Sequence, residues 1–214
     1  MSPITYIERV IPEQSGRPEV DNSKHPMREV TFNAAFHPDS WTQQKADQVA
    51  QAFDALAPTW EERGHARHVS PLIDAIERGG TIPDGPALEV GSGTGIVTPH
   101  ILNHFDNVIS IDIAKEMLSQ VKSRLAPLVR CDSFHLPIRD KSIAAAILVN
   151  ALLFPHEIDR VLTQNGVIIW VNTLGSDTPI HLSAESVENA MPGNWSWMAS
   201  GADWGTWVVL RRLI

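Results

Sequence analysis

Five polar side chains stand at or beside the ends of short apolar runs: Glu89, Asp112, Asp132, Asn150 and Asn172. Just after the first come three glycines at alternate positions, Gly91, Gly93 and Gly95, separated by Ser92 and Thr94. Glycines so spaced between a strand and a helix let the backbone approach a ligand closely. A carboxylate accepts two hydrogen bonds from a ribose diol. Asp112, about 20 residues beyond the first run, is placed for that role. Ile113 behind it offers an apolar surface to a purine face. Asp132, with Ser133 and Phe134 beside it, could accept from an exocyclic amine. Aspartates also cap helices, and glycine turns often only turn. Two aspartates in register with one glycine loop favour a nucleoside site.

The elements that must position these groups can be read from the same stretch. Apolar runs at Ala87–Val90, 108–111, 128–131, 144–149 and 166–171 read as strands. Helical patterns over 96–105, 115–125 and 155–162 alternate with them. Such alternation implies a mostly parallel sheet with helices on both faces. A helix over Ala184–Ala190 precedes two strand-like runs at 195–199 and 206–211, joined through Gly201, Asp203 and Gly205. They read as an antiparallel hairpin at the sheet edge. The fold expected is therefore α/β, a doubly wound, seven-stranded, mostly parallel sheet with a C-terminal antiparallel hairpin strand.

Ahead of the sheet, residues 1–38 carry proline, glycine and mixed charge without periodicity, and read as an irregular arm. For residues 1–24 a loosely ordered tail is an equally good reading, whereas 30–36 is apolar enough to dock. Ser40 with Gln43 forms a capping-box pattern for a helix to about Leu56, with Val49, Ala52, Phe53 and Leu56 on one face. Thr59 with Glu62 opens a short helical piece bearing Trp60. Ser70 and Pro71 open a third helix that Gly79-Gly80 stops. Residues 1–80 thus form an arm and helical cap, and 81–214 the cofactor-binding domain, within one structural unit.

Composition narrows the partners. The chain is 43% hydrophobic with a formal net charge of -8, so its field repels polyanions such as duplex nucleic acid. No apolar run is long enough to span a bilayer, and the first residues lack a secretion-signal pattern. A cytoplasmic protein is expected. The single cysteine, Cys131, excludes an intramolecular disulfide and a thiol-only metal cage. His65 with His68, and His100 with His104, have helical spacing but no recognisable third ligand, so no metal is expected.

A dinucleotide oxidoreductase uses similar parts. Its fingerprint places the third glycine three residues after the second. Here Gly95 comes one residue early, and Glu89 would repel a pyrophosphate. An NAD(P)-dependent oxidoreductase is therefore the least favoured reading.

Leu88-Glu89-Val90-Gly91-Ser92-Gly93-Thr94-Gly95 resembles motif I of the class I S-adenosylmethionine-dependent methyltransferases. The segment from Ile109 to Leu118 resembles that family's ribose-binding segment. Cys131-Asp132-Ser133-Phe134-His135-Leu136-Pro137 resembles its adenine-contacting segment, and the stretch from His156 to Gly166 the helix and turn before strand five. The resemblance runs from about residue 50 to 214. It points to the small-molecule, ubiquinone/menaquinone-methyltransferase-like type. Departures are Ala144, where relatives often carry aspartate, Asn165-Gly166 in place of Pro-Gly-Gly, and a short segment after Asn150.

The resemblance implies S-adenosyl-L-methionine held by Glu89, Gly91, Ser92, Gly93, Gly95, Asp112, Ile113, Met117, Asp132, Ser133 and Asn150, with Glu89 near its ammonium group. Trp41, Trp60 and Leu153 are expected to face the acceptor. Methyl transfer needs a base only where the acceptor must lose a proton. His135 and His156 are the candidates, although surface histidines explain them as well. The function expected is methyl transfer to an O, N or C centre of a small-molecule metabolite. A catalytically inert cofactor-binding partner protein is the alternative. The hairpin tryptophans, Trp195, Trp197, Trp204 and Trp207, read as core or as an oligomer contact, which leaves room for a homodimer.

Overall fold

The computed structural model describes residues 4–63, 69–122 and 125–213. The pair His65 and His68 lies outside the described residues. In chain order the elements are β1 (Ile4–Tyr6), α1 (Pro26–Phe36), α2 (Gln43–Leu56), α3 (Ser70–Arg78), β2 (Ala87–Val90), α4 (Thr98–Leu102), β3 (Val108–Asp112) and α5 (Lys115–Ser119). They continue with β4 (Leu128–Arg130), β5 (Ile143–Val149), α6 (Pro155–Val161), β6 (Leu162–Asn172), α7 (Ala184–Ala190), β7 (Trp195–Ala202) and β8 (Gly205–Arg212).

The strands form one sheet in the order β1-β7-β8-β6-β5-β2-β3-β4. Every neighbouring pair is parallel except those made by β8, which is antiparallel to β6 and β7. From β2 the chain runs outward through β3 to β4, then returns to lay β5 on the other side of β2. The order reverses there, so the crevice beyond the carboxyl ends of β2 and β5 is where a ligand fits this topology.

Side-chain alternation sorts the core into two layers. Ile168 and Trp170 of β6 join Val208 and Leu210 of β8 under α6 and α7. Val167, Ile169 and Val171 join Trp207 and Val209 on the other face, against Leu72, Ala75 and Ile76 of α3 and Ile101 of α4. All four hairpin tryptophans are buried. Of the two roles expected for them, the structure gives the core.

The sheet has eight strands where seven were expected. The extra strand comes from the arm: Ile4–Tyr6 adds in parallel to the outer edge of β7. Past that edge Arg78 donates to the Glu8 carbonyl and Arg9 to that of Asp203, Ile11 bridges to Ala202, and the Trp204 indole N–H donates to the Gln14 carbonyl. A three-residue strand carries too little periodicity to be visible in sequence. Because β1 is parallel to β7, the arm emerges at the carboxyl end of the sheet, on the side of the crevice. The docking segment foreseen at 30–36 is α1.

Helix starts also shift. Ser40 ends a short 3₁₀ turn, and Thr42 caps α2 by accepting from the Lys45 N–H. The helix after the glycines begins only at Thr98, with Pro99 in its first turn, and is five residues long. Among the described residues, no helix is long and apolar enough to cross a membrane.

One polar group sits inside the α3 layer. Asp74 is 2% exposed and accepts from the Trp207 indole N–H at 2.7 Å and from Arg78 at 3.0 and 3.1 Å. Trp207→Phe keeps most of the ring but removes one donor from a buried carboxylate. It should cost about 1–3 kcal/mol. Urea unfolding should show a lower midpoint at unchanged slope.

Candidate cofactor and acceptor site

A cavity of about 530 Å³ opens at the switch point, within the range of about 300–1,000 Å³ usual for small-molecule sites. Its floor is the turn after β2. Gly91, Gly93 and Gly95 all have positive φ, at +70°, +56° and +76°. A Cβ on Gly91 would stand 2.8 Å from that of Ala151, so the turns after β2 and β5 abut there. At Gly93 a Cβ would meet only the Trp60 indole nitrogen, 4.0 Å away, across the cavity. The Ser92 and Thr94 side chains are buried, line the cavity, and their hydroxyls have no hydrogen-bond partner. Both hydroxyls leave hydrogen-bonding capacity that the protein itself does not use.

The turn is pinned from the next strand. At the end of β3, Asp112 accepts from the Gly93 N–H at 2.8 Å through one oxygen and from the Ala114 N–H at 2.7 Å through the other. Burial raises its pKa above the ordinary carboxylate value, opposed by the N–H groups of Ala114, Gly93 and Ile113. With three N–H groups turned to it, the carboxylate still keeps acceptor capacity for a further donor. Ile113 and Met117 line the wall beside it. At the end of β4, Asp132 accepts from the Phe134 N–H at 2.9 Å and from the Trp41 indole N–H at 2.8 Å.

Asn150, at the end of β5, has a φ of +51°. Its side chain and Thr173 clasp one another: its amide donates to the Thr173 hydroxyl at 2.7 Å, and its carbonyl accepts from the Thr173 N–H at 2.9 Å. The clasp ties the β5 and β6 ends together across the cavity and holds an unusual backbone conformation.

Of the residues expected at the site, Gly91, Ser92, Gly93, Asp112, Ile113, Met117, Asp132, Ser133, Asn150, Trp41 and Trp60 line this one cavity. Five do not. Glu89 shares a sheet face with Ala87, Ser110 and Asp112, but it sits one step below Asp112 and does not line the cavity. There its carboxylate accepts from the Thr98 and Ser110 hydroxyls at 2.7 and 2.6 Å. Gly95 closes the turn, its N–H donating to the Ser92 carbonyl, and packs towards Val121. Leu153 is fully buried in the α6 layer, while its neighbours Leu152 and Phe154 face the cavity. His135 and His156 are exposed and stand outside it.

Other lining residues were not foreseen. Val20, Asn22, His25 and Met27 come from the arm, and Leu174, Pro179 and Ile180 from the segment after β6. The arm and that segment are tied by Arg17 to Asp177 at 2.8 Å and by Asn22 to the Asp177 carbonyl at 2.9 Å. The α2 stripe of Val49, Ala52, Phe53 and Leu56 forms the roof. Asp54 of α2 caps the first turn of α5, accepting from the Glu116 N–H at 2.7 Å, which joins the roof to the wall beside Asp112. Cys131 also lines the cavity. Burial pushes its thiol up to about 11, which keeps it protonated and a poor nucleophile.

Residues 88–170 match the family whose description is a methyltransferase domain. An uncharacterized methyltransferase, YodH of Bacillus subtilis, is 27% identical over 108 residues, covering 45% of this chain and 46% of that protein. The chain thus spans about half the length of the curated relative it matches. Among solved structures, an S-adenosylmethionine-dependent methyltransferase of Thermotoga maritima superposes with a TM-score of 0.59 at 15% identity, over 77% of this chain and 99% of its own. The DhpI complex with S-adenosylhomocysteine gives 0.58 at 17%, over 78% and 96%. The [4+2]-cyclase SpnF gives 0.62 at 14%, over 79% and 96%. Residues 88–170 thus resemble a methyltransferase domain, and the fold is shared with solved S-adenosylmethionine-dependent methyltransferases.

Glu89 has a consequence for stability. Burial raises its pKa from 4.5 to about 7, against the lowering effect of the two hydroxyl donors. Between those values the folded protein keeps a proton that the unfolded chain has released. The contribution of Glu89 therefore falls as pH rises through that window, by on the order of 3 kcal/mol. Denaturant unfolding at pH 4.5 and pH 7.5 should show the unaltered protein losing stability relative to Glu89→Gln. Equal changes in both proteins would contradict this assignment.

Proposed function

We propose that the protein transfers the methyl group of S-adenosylmethionine to a small, largely apolar metabolite. The observation that carries this reading is the placement of Asp112. Its carboxylate holds the glycine turn open and faces a cavity whose Ser92 and Thr94 hydroxyls lack partners. Asp112 would hold the ribose hydroxyls, Ile113 would pack on the adenine and Asp132 would accept from its amine. The glycine turn with Ser92 would receive the methionine end. Two carboxylates in the wall suit a ligand with a sulfonium charge.

Methyl transfer is an in-line displacement, and the protein's main task is to align the two partners and exclude water. The roof and the arm supply Val20, Met27, Phe53 and Leu56 for the acceptor, and Phe154 adds an aromatic edge. These favour a compact, apolar molecule over a polymer. His25 lines the cavity, but its Nδ1 accepts the Met27 N–H while capping α1. In the neutral ring the proton then sits on Nε2, which makes His25 a donor towards the ligand rather than a base.

A second reading is a cofactor-binding protein that transfers no methyl group. The exposed positions of His135 and His156 support it, since neither sequence-derived base reaches the cavity. SpnF shows that this fold also accompanies a protein named for a different reaction.

Calorimetry with S-adenosylmethionine, S-adenosylhomocysteine and NAD tests the cofactor part. The first two should bind with micromolar-range affinity and NAD should not, and Asp112→Ala should abolish binding. Binding of NAD alone would sink the reading. Incubation with methyl-labelled cofactor and fractionated metabolite pools should then label an apolar small molecule. A protein that binds the cofactor but labels nothing would fit the second reading.

A further inference from the structure

Resting on the cofactor reading above, we infer that Trp41 is a positioning residue for adenine recognition. Its indole N–H holds the Asp132 carboxylate where it can accept from a 6-amino group. This moves the segment between α1 and α2 from the acceptor half of the cavity to the cofactor half.

Both carboxylate oxygens of Asp132 carry one donor each, Phe134 N–H on one and Trp41 Nε1–H on the other. A carboxylate held at both oxygens cannot rotate, and each oxygen retains one lone pair. Trp41 is itself held fast. It is buried, its backbone N–H donates to the Pro38 carbonyl, and the next residue, Thr42, caps α2. Its ring meets Phe154 edge-on at 4.9 Å, and Phe154 meets Phe134 in the same manner at 5.4 Å.

Buried indole N–H groups usually find an acceptor, and among the described tryptophans that of Trp170 has none. Trp195 and Trp204 use backbone carbonyls, while Trp197 and Trp207 use Glu188 and Asp74, which lie outside the cavity. Trp41 instead spends its N–H on a carboxylate that lines the cavity. An amine at the purine 6-position offers a donor to that fixed carboxylate. A 6-oxo group presents a lone pair to it and is repelled, and a carboxylate that cannot turn away cannot relieve the repulsion. The Trp41 hydrogen bond therefore adds discrimination rather than contact area alone.

The test compares S-adenosylhomocysteine with S-inosylhomocysteine, its 6-oxo counterpart, by calorimetry. The unaltered protein should prefer the amino form by roughly tenfold or more, and Trp41→Phe should shrink that preference by roughly fivefold, the worth of one hydrogen bond to a charged group. A purely structural role would weaken both ligands alike, so an unchanged or larger preference in Trp41→Phe overturns the inference. If that variant does not fold, hydrogen exchange on the unaltered protein decides. At equal occupancy, the amino ligand should protect the backbone around Trp41 more than the oxo ligand does, and equal protection overturns the inference. If the unaltered protein binds neither ligand, the cofactor reading itself fails and this inference falls with it.

Discussion

The structure turns on one carboxylate. Asp112 ends β3 and reaches across to the turn after β2, where it takes the Gly93 N–H, while its second oxygen takes the N–H of Ala114 at the start of α5. Without that bond the turn would be three glycines in left-handed backbone with little to hold them, since glycine pays the largest entropic cost of ordering. With it, a floor, a wall and two adjacent parallel strands become one rigid corner. Burial works against charging Asp112, and the N–H groups around it work in favour. A group balanced in this way stabilises little unless it has a ligand to receive.

The other elements are arranged around that corner. Glu89 lies one step below it on the same sheet face, joining β2, β3 and α4 through two hydroxyls. The Asn150–Thr173 clasp closes the side towards β5 and β6, and α2 is attached through Asp54 to the element that follows Asp112. The arm completes the enclosure from the far edge of the sheet. Its path is set by β1, which runs parallel to β7 and so delivers residues 18–27 to the carboxyl ends of the strands. A parallel sheet concentrates its loop chemistry at one end, and here an N-terminal segment has been routed there as well.

What could be read in the sequence was the part that repeats or alternates. The strands β2, β3, β5 and β6 and the terminal hairpin each carry a short apolar run bounded by polar or turn residues, and the polar ends of β3 and β5 fall at the cavity. Asp112 and Asp132 were visible because a carboxylate after an apolar run is unusual. Glu89 and Leu153 stand outside the cavity, Glu89 one step down its strand and Leu153 turned into the α6 layer. Which way a side chain points at a strand end or in a loop depends on a single residue of register, and spacing alone does not give it. The arm was opaque because its contacts are long-range: Arg17 meets Asp177 and Arg78 meets Glu8, and neither pair leaves a local pattern. Trp41 was expected near a ligand, but its partner lies 91 residues away, and only the folded chain joins them.

The central claim is that Asp112 and the glycine turn together form the adenosyl side of a cofactor site. A crystal structure of the protein with S-adenosylhomocysteine tests it most directly. The account predicts the ribose diol on the Asp112 carboxylate, with oxygen–oxygen distances of about 2.5–3.0 Å, and the amino-acid end over the turn from Gly91 to Gly93. Ligand bound elsewhere, or lying in the cavity with its ribose away from Asp112, would contradict it.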